Sequence, residues 1–269
     1  MDSKPFDEHT PVLALHCSLA SSAQWRSLAR AMPEREVIAV DLLGYGDAPP
    51  PARGQDFSLD QELDAIERQL AKRLGAEQPL HVVWHSYGGA VAWRFALRDP
   101  SRVKSIALFE PVTMWLVQHD PEAEPFHAFA RTISRRVELG LTIGAAERFV
   151  DFWSGAGTFS SLPPERQSAL AEQMGKVKLD FAACLSDRTA LPVRGHLQMP
   201  ALLMNGSDTF DLMRANIRIL RRAFSECATA EVPGGHMAPV EDRGRIDALI
   251  ANFIRMTERQ MAGAKLLIA

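Results

Sequence analysis

The chain has 269 residues, of which 46% are hydrophobic and 23% charged, and its formal net charge is −3. This excludes intrinsic disorder, which needs low hydrophobicity and high net charge, and the length can bury a core without disulfides or structural metals. The mildly acidic balance gives no general case for nucleic acid, whose binding needs a basic surface; Arg214, Arg218, Arg221 and Arg222 read as one solvated helical face.

Cys17, Cys184 and Cys227 are far apart and odd in number, and they form neither a C-x-x-C pair nor a disulfide framework, which fits a reducing compartment. The first ten residues contain no apolar h-region. No stretch approaches the ~18 consecutive apolar residues of a membrane span. The expectation is a cytoplasmic protein without membrane contact.

In chain order, Val12–Cys17 is the first expected strand, and the loop His16-Cys17-Ser18-Leu19-Ala20-Ser21-Ser22 leads from it into a helix over Gln24–Met32. Val37–Leu42 is the next strand and ends in the turn Asp41-Leu42-Leu43-Gly44-Tyr45-Gly46. That turn lacks the third glycine of a dinucleotide fingerprint, and the first strand-to-helix loop has no glycine, so a dinucleotide site is rejected. Leu59, Leu63, Ile66, Leu70 and Leu74 form one apolar helical stripe, with Ser58 and Gln61 as a capping box and Gly75 as the stop. Strands at His81–Trp84 and Val103–Phe109 bracket a helix over Tyr87–Arg98, which Asp99-Pro100 ends. From Thr113 to His196 the alternation breaks into four helical segments with no strand between them, which reads as an inserted helical cap or as a helical face of the core. Strands at Ala201–Met204 and Thr229–Val232 and helices over Asp211–Phe224 and Asp242–Met256 complete the chain. Strands apolar on both faces and alternating with helices predict an α/β fold with a mostly parallel sheet of about six strands. The core spans 1–112 and 197–269, and the cap spans 113–196.

The chemistry points to the segment His85-Ser86-Tyr87-Gly88-Gly89. A strand runs into Ser86 and a helix follows at once, a sharp turn that holds the serine hydroxyl proud of the sheet. The following helix aims its N-terminal N–H groups at developing negative charge. Backbone N–H groups of Ser18 and Tyr87 are the candidate oxyanion donors. Asp208 follows the Ala201–Met204 strand and His236 follows the last one, so Ser86, acid and His236 stand in the chain order of a triad on this sheet type. His236 would relay the proton and Asp208 would orient the imidazole. Asp208 and Ser86 could also serve simply as helix caps, and His236 as a structural loop residue.

These segments together resemble the α/β-hydrolase superfamily, over about Val12 to Phe253. The resemblance rests on His16-Cys17-Ser18, Asp41-Leu42-Leu43-Gly44-Tyr45-Gly46, the Ser86 elbow, Phe109-Glu110-Pro111, Gly206-Ser207-Asp208 and Gly235-His236-Met237. It implies a capped serine hydrolase that uses no organic cofactor and no metal. It also makes Glu110 a second candidate acid, ranked below Asp208. Three positions depart from the family pattern: Trp84 stands two before the serine, Cys17 follows the loop histidine, and Asn205 stands three before Asp208, where glycines are usual.

The expected activity is cleavage of an ester or related acyl bond of a small, apolar or aromatic substrate through an acyl-enzyme at Ser86. Cys17, Met114, Trp115, Phe152, Trp153 and Met237 are the expected pocket residues. C–C bond hydrolysis, perhydrolysis, lyase chemistry and acyl transfer use the same triad on this fold, and a non-catalytic small-molecule binder is the remaining alternative. The oligomeric state stays open between monomer and homodimer.

Overall fold

Six strands, β1 (Val12–Leu15), β2 (Val37–Val40), β3 (Leu80–His85), β4 (Val103–Phe109), β5 (Ala201–Gly206) and β6 (Cys227–Val232), form one sheet in the order β2-β1-β3-β4-β5-β6. Every neighbouring pair is parallel. The computed structural model describes residues 9–52, 56–75 and 77–268; of the first ten residues, read above as having no apolar h-region, 1–8 lie outside them. The central strands β1, β3 and β4 are almost wholly buried. Their Val, Leu and Ile runs are what a sheet covered on both faces requires.

Alternation along the strands sorts side chains onto two cores. Val12, Ala14, Val83, Ala107, Phe109 and Met204 pack with α1 (Arg26–Ala31) and with the long C-terminal helix, which spans Arg243–Ile268. The opposite face carries Leu13, Leu15, Trp84 and Leu108, packed on α2 (Leu59–Leu74) and α3 (Tyr87–Arg98). Trp84 thus finds its space inside this second core, fully buried, between Leu15 and Leu108 on the flanking strands. Ser58 precedes α2 in an extended conformation, but its side chain makes no capping bond, unlike the expected box; Gly75 ends the helix at φ 89°.

Between β4 and β5 lie four helices and no strand: α4 (Ala123–Glu138), α5 (Thr142–Ser154), α6 (Pro164–Glu172) and α7 (Met174–Ser186). Phe126, Phe129, Phe149, Phe152, Trp153 and Phe181 cluster among them, with Phe129 stacked on Phe152 at 3.9 Å. After β5 come α8 (Asp211–Arg221), the short α9 (Ala238–Glu241) and the C-terminal helix α10. Among the described residues no helix is long and apolar enough to cross a membrane.

The strand order reverses between β1 and β3. Helices after these two strands leave toward opposite faces, and a crevice opens beyond the carboxyl ends. The β1 loop and the Ser86 turn both lie there.

Candidate active site

Ser86 sits at φ 59° and ψ −120°, a backbone conformation that an L-residue adopts only under strain. Neighbouring strands hold it in place. Its N–H donates to the Phe109 carbonyl at 3.0 Å, and its own carbonyl accepts from Gly89 at 2.8 Å and Val112 at 3.0 Å. Gly88 must be glycine: a Cβ there would lie 2.6 Å from the His16 carbonyl oxygen. The start of α3 therefore packs directly against the end of β1, next to the Ser18 loop.

The Ser86 hydroxyl lies 2.8 Å from His236 Nε2, and His236 Nδ1 lies 2.7 Å from Glu110 Oε2. A carboxylate can only accept, so Nδ1 carries the proton and Nε2 is free to accept from the serine. The other Glu110 oxygen, Oε1, accepts the Gly206 N–H at 2.8 Å. Glu110 is fully buried and held at φ 40°, directly after β4.

Asp208 is therefore not the residue that meets the imidazole. It is exposed, its backbone N–H donates to Gly234, and its carboxylate accepts from the neighbouring Ser207 hydroxyl at 2.9 Å. The physical reason is the close fit of the β5 end against the His236 loop. A Cβ on Gly206 would fall 2.2 Å from the Gly234 oxygen and 2.8 Å from the Gly235 oxygen, so the β5 end lies directly against the glycines that lead into His236. Glu110 reaches it instead from the next strand.

The histidine's backbone is tied to the β1 loop through a chain of bonds with one consistent direction. His85 Nε2 donates to the His236 carbonyl at 2.8 Å, Gln24 Nε2 donates to His85 Nδ1 at 3.1 Å, and the Cys17 N–H donates to Gln24 Oε1 at 3.2 Å. Burial holds the His85 pKa well below its ordinary value, so the ring is neutral, as this pattern needs. His16 likewise is neutral, with burial lowering its pKa to about 4; it donates from Nδ1 to the Cys17 carbonyl and accepts the Leu42 N–H at Nε2. Burial pushes the Cys17 thiol up to about 12, which removes it as a nucleophile at neutral pH.

A second buried cluster ties the two candidate oxyanion residues to the helices between β4 and β5. Lys176 of α7 donates to Glu62 at 2.8 Å and to Asp180. Asp180 accepts from the Ser18 hydroxyl at 2.6 Å and the Tyr45 hydroxyl at 2.5 Å, and Glu62 accepts from the Tyr87 hydroxyl at 3.2 Å and the Leu43 N–H at 3.0 Å. The Lys176 ammonium also lies 4.7 to 4.8 Å from the centres of the Tyr45, Phe57 and Tyr87 rings. Burial opposes its charge, but the two carboxylates hold its pKa above the ordinary value.

A cavity of about 590 Å³ opens onto Ser86 and His236; its walls include the pocket candidates Cys17, Trp153 and Met237 and the oxyanion candidate Ser18. Trp153 lies over the His236 ring, with centroids 3.9 Å apart. Tyr87 borders a small adjoining recess that also touches Ser18 and Ser86. Three expected pocket residues are elsewhere. Met114 and Trp115 are buried in a short turn after β4, where the Trp115 indole donates to the Thr189 carbonyl at 2.9 Å. Phe152 stacks on Phe129 and Phe210 and faces a separate cavity. These apolar side chains are taken up by packing under and among the helices between β4 and β5. Sequence reasoning missed Phe149, Val150, Leu162 and Leu170 of the Ser86 cavity, and four arginines with them. Among the described residues, no group of three or more His, Cys, Asp or Glu is placed to hold a metal.

A family model described as alpha/beta hydrolase fold matches residues 10–242. The lipase LipV of Mycobacterium tuberculosis is 34% identical over 100 residues, covering 37% of this chain and 36% of the lipase. A haloalkane dehalogenase of Agrobacterium fabrum is 32% identical over 108 residues, covering 38% of this chain and 33% of that protein. The chain thus matches about a third of the length of these curated relatives. The structure of a thermophilic esterase from Thermogutta terrifontis superposes with a TM-score of 0.71 at 20% identity, over 93% of this chain and 90% of that one. At that identity the likeness is one of fold.

Proposed function

The chain belongs to the α/β-hydrolase fold family, and from that premise we propose that it is a serine hydrolase cleaving an ester of a small substrate through an acyl-enzyme at Ser86. The observation that carries the reading is the unbroken contact Ser86–His236–Glu110. In this reading Ser86 Oγ attacks the ester carbonyl while His236 Nε2 takes its proton, and Glu110 stabilises the imidazolium that forms. The N–H groups of Ser18 and Tyr87 receive the oxyanion. Collapse of the tetrahedral intermediate breaks the C–O bond, and His236 returns the proton to the leaving alcohol. Water, deprotonated by the same nitrogen, then attacks the acyl-enzyme and frees the acid and Ser86.

The helical insertion acts as a cap in this reading, and the placement of Phe149, Val150, Trp153, Leu162 and Leu170 around the Ser86 cavity supports an apolar or aromatic substrate group. The name of the lipase relative also favours ester chemistry. Turnover of short p-nitrophenyl esters, followed by release of p-nitrophenol, tests the reading. The expected result is ester cleavage with no turnover of vinylogous diketones; cleavage of the diketones with the esters left intact would replace it by C–C bond hydrolysis.

A further inference from the structure

The cavity over Ser86 has an uneven charge. Arg26, Arg30, Arg166 and Arg243 line it, and no aspartate or glutamate does. All four are exposed, so they stand at its solvent side, while Phe149, Trp153, Leu170 and Met237 supply apolar wall. They come from three distant parts of the chain: Arg26 and Arg30 from α1, Arg166 from α6, Arg243 from the start of α10. One solvated helical face cannot produce that convergence. None of the four has a carboxylate within ion-pair distance among the described residues; Arg243 donates only to the Val240 carbonyl. Asp247 interacts with the charges of Arg30 and Arg243, but its largest perturbation is burial, which raises its pKa. It does not line the cavity, and the chain as a whole is negative at −3, so the positive rim runs against the overall balance.

We infer that the substrate is an ester whose apolar body carries an anionic oxygen group, a carboxylate or a phosphate, which the arginine rim receives while the ester carbonyl lies at Ser86. Guanidinium forks match the geometry of either anion, and a cationic rim on a low-dielectric cleft raises the local concentration of anionic substrate. This inference rests on the serine-hydrolase reading.

The test compares 4-nitrophenyl hexanoate, which is neutral, with mono-4-nitrophenyl adipate and 4-nitrophenyl 5-phosphonopentanoate. The readout is the ratio of kcat/KM for each charged ester to that for the neutral one. In the wild-type protein the ratio is expected to exceed one by about tenfold at low salt for the preferred anion and to shrink as salt is added. The double variant Arg30→Gln/Arg166→Gln is expected to bring it close to one. Arg131→Gln/Arg135→Gln, an equal loss of charge on α4 away from the cavity, is expected to leave it unchanged. The carboxylate and phosphonate arms identify which anion is preferred. A wild-type ratio at or below one for both charged esters, or a ratio that survives the double variant, overturns the inference while leaving ester hydrolysis in place. Failure to cleave any of the three esters removes the serine-hydrolase reading itself.

Discussion

Glu110→Gln is expected to lower kcat for ester hydrolysis by roughly 10³-fold or more, while Asp208→Asn leaves it within a factor of about two. The first substitution keeps the shape of the side chain but removes the negative charge beside the imidazole. Of the two carboxylate oxygens, one accepts the His236 proton and the other the Gly206 N–H. An amide can satisfy only one of them as acceptor, and its NH2 group then faces another donor, so it favours the wrong orientation or the wrong tautomer of His236. Asp208 touches Ser207 and solvent, and nothing on the Ser86 side depends on it. Steady-state kinetics of both variants at one pH checks this. Loss of activity in Asp208→Asn with Glu110→Gln unaffected would reverse the assignment of the acid.

The second large effect concerns Lys176→Met. The methionine chain fits the aliphatic path of the lysine but leaves Glu62 and Asp180 buried without their cation. Losing one partner of a buried charge cluster typically costs about 3–5 kcal/mol, which for a domain of this size lowers the melting temperature by roughly 10 °C. The same change frees the acids that hold the Ser18 and Tyr87 hydroxyls, so ester turnover is expected to fall as well. Thermal melts followed by circular dichroism provide the check, with Lys176→Met/Glu62→Gln expected to recover part of the loss. Melting of Lys176→Met together with the wild-type protein would show that the cluster holds nothing in place.

Much of the fold could be read from residue order. Strands apolar on both faces, the Ser58–Gly75 stripe and the Asp99-Pro100 stop each depend on local periodicity or backbone restriction, and such signals are complete within a short window. The serine turn was legible for the same reason, because a strand, a serine and a glycine pair determine a local shape.

The acid was harder. Both Glu110 and Asp208 satisfy the order serine, acid, histidine, and both follow strands on the side of β3 away from β1. The choice between them depends on the approach of Gly206 to Gly234 and on the positive φ of Glu110, which are contacts between segments about 30 or 100 residues apart. The Lys176–Asp180 spacing looks like an ordinary exposed helical pair, and only the tertiary packing of α7 over Glu62, Tyr45 and Tyr87 shows it to be buried. The same limit applies to Met114 and Trp115, where composition indicated an aromatic lining but could not say which rings the core would claim. The four arginines have no common sequence pattern at all. They meet only because α1 and the starts of α6 and α10 border one opening.

Covalent capture tests the central claim most directly. Incubation with a fluorophosphonate, followed by intact-protein mass spectrometry and peptide mapping, is expected to place a single adduct on Ser86 in the wild-type protein and none on Ser86→Ala. Wild-type protein that stays unmodified, or an adduct that persists at another residue when Ser86 is alanine, would contradict it.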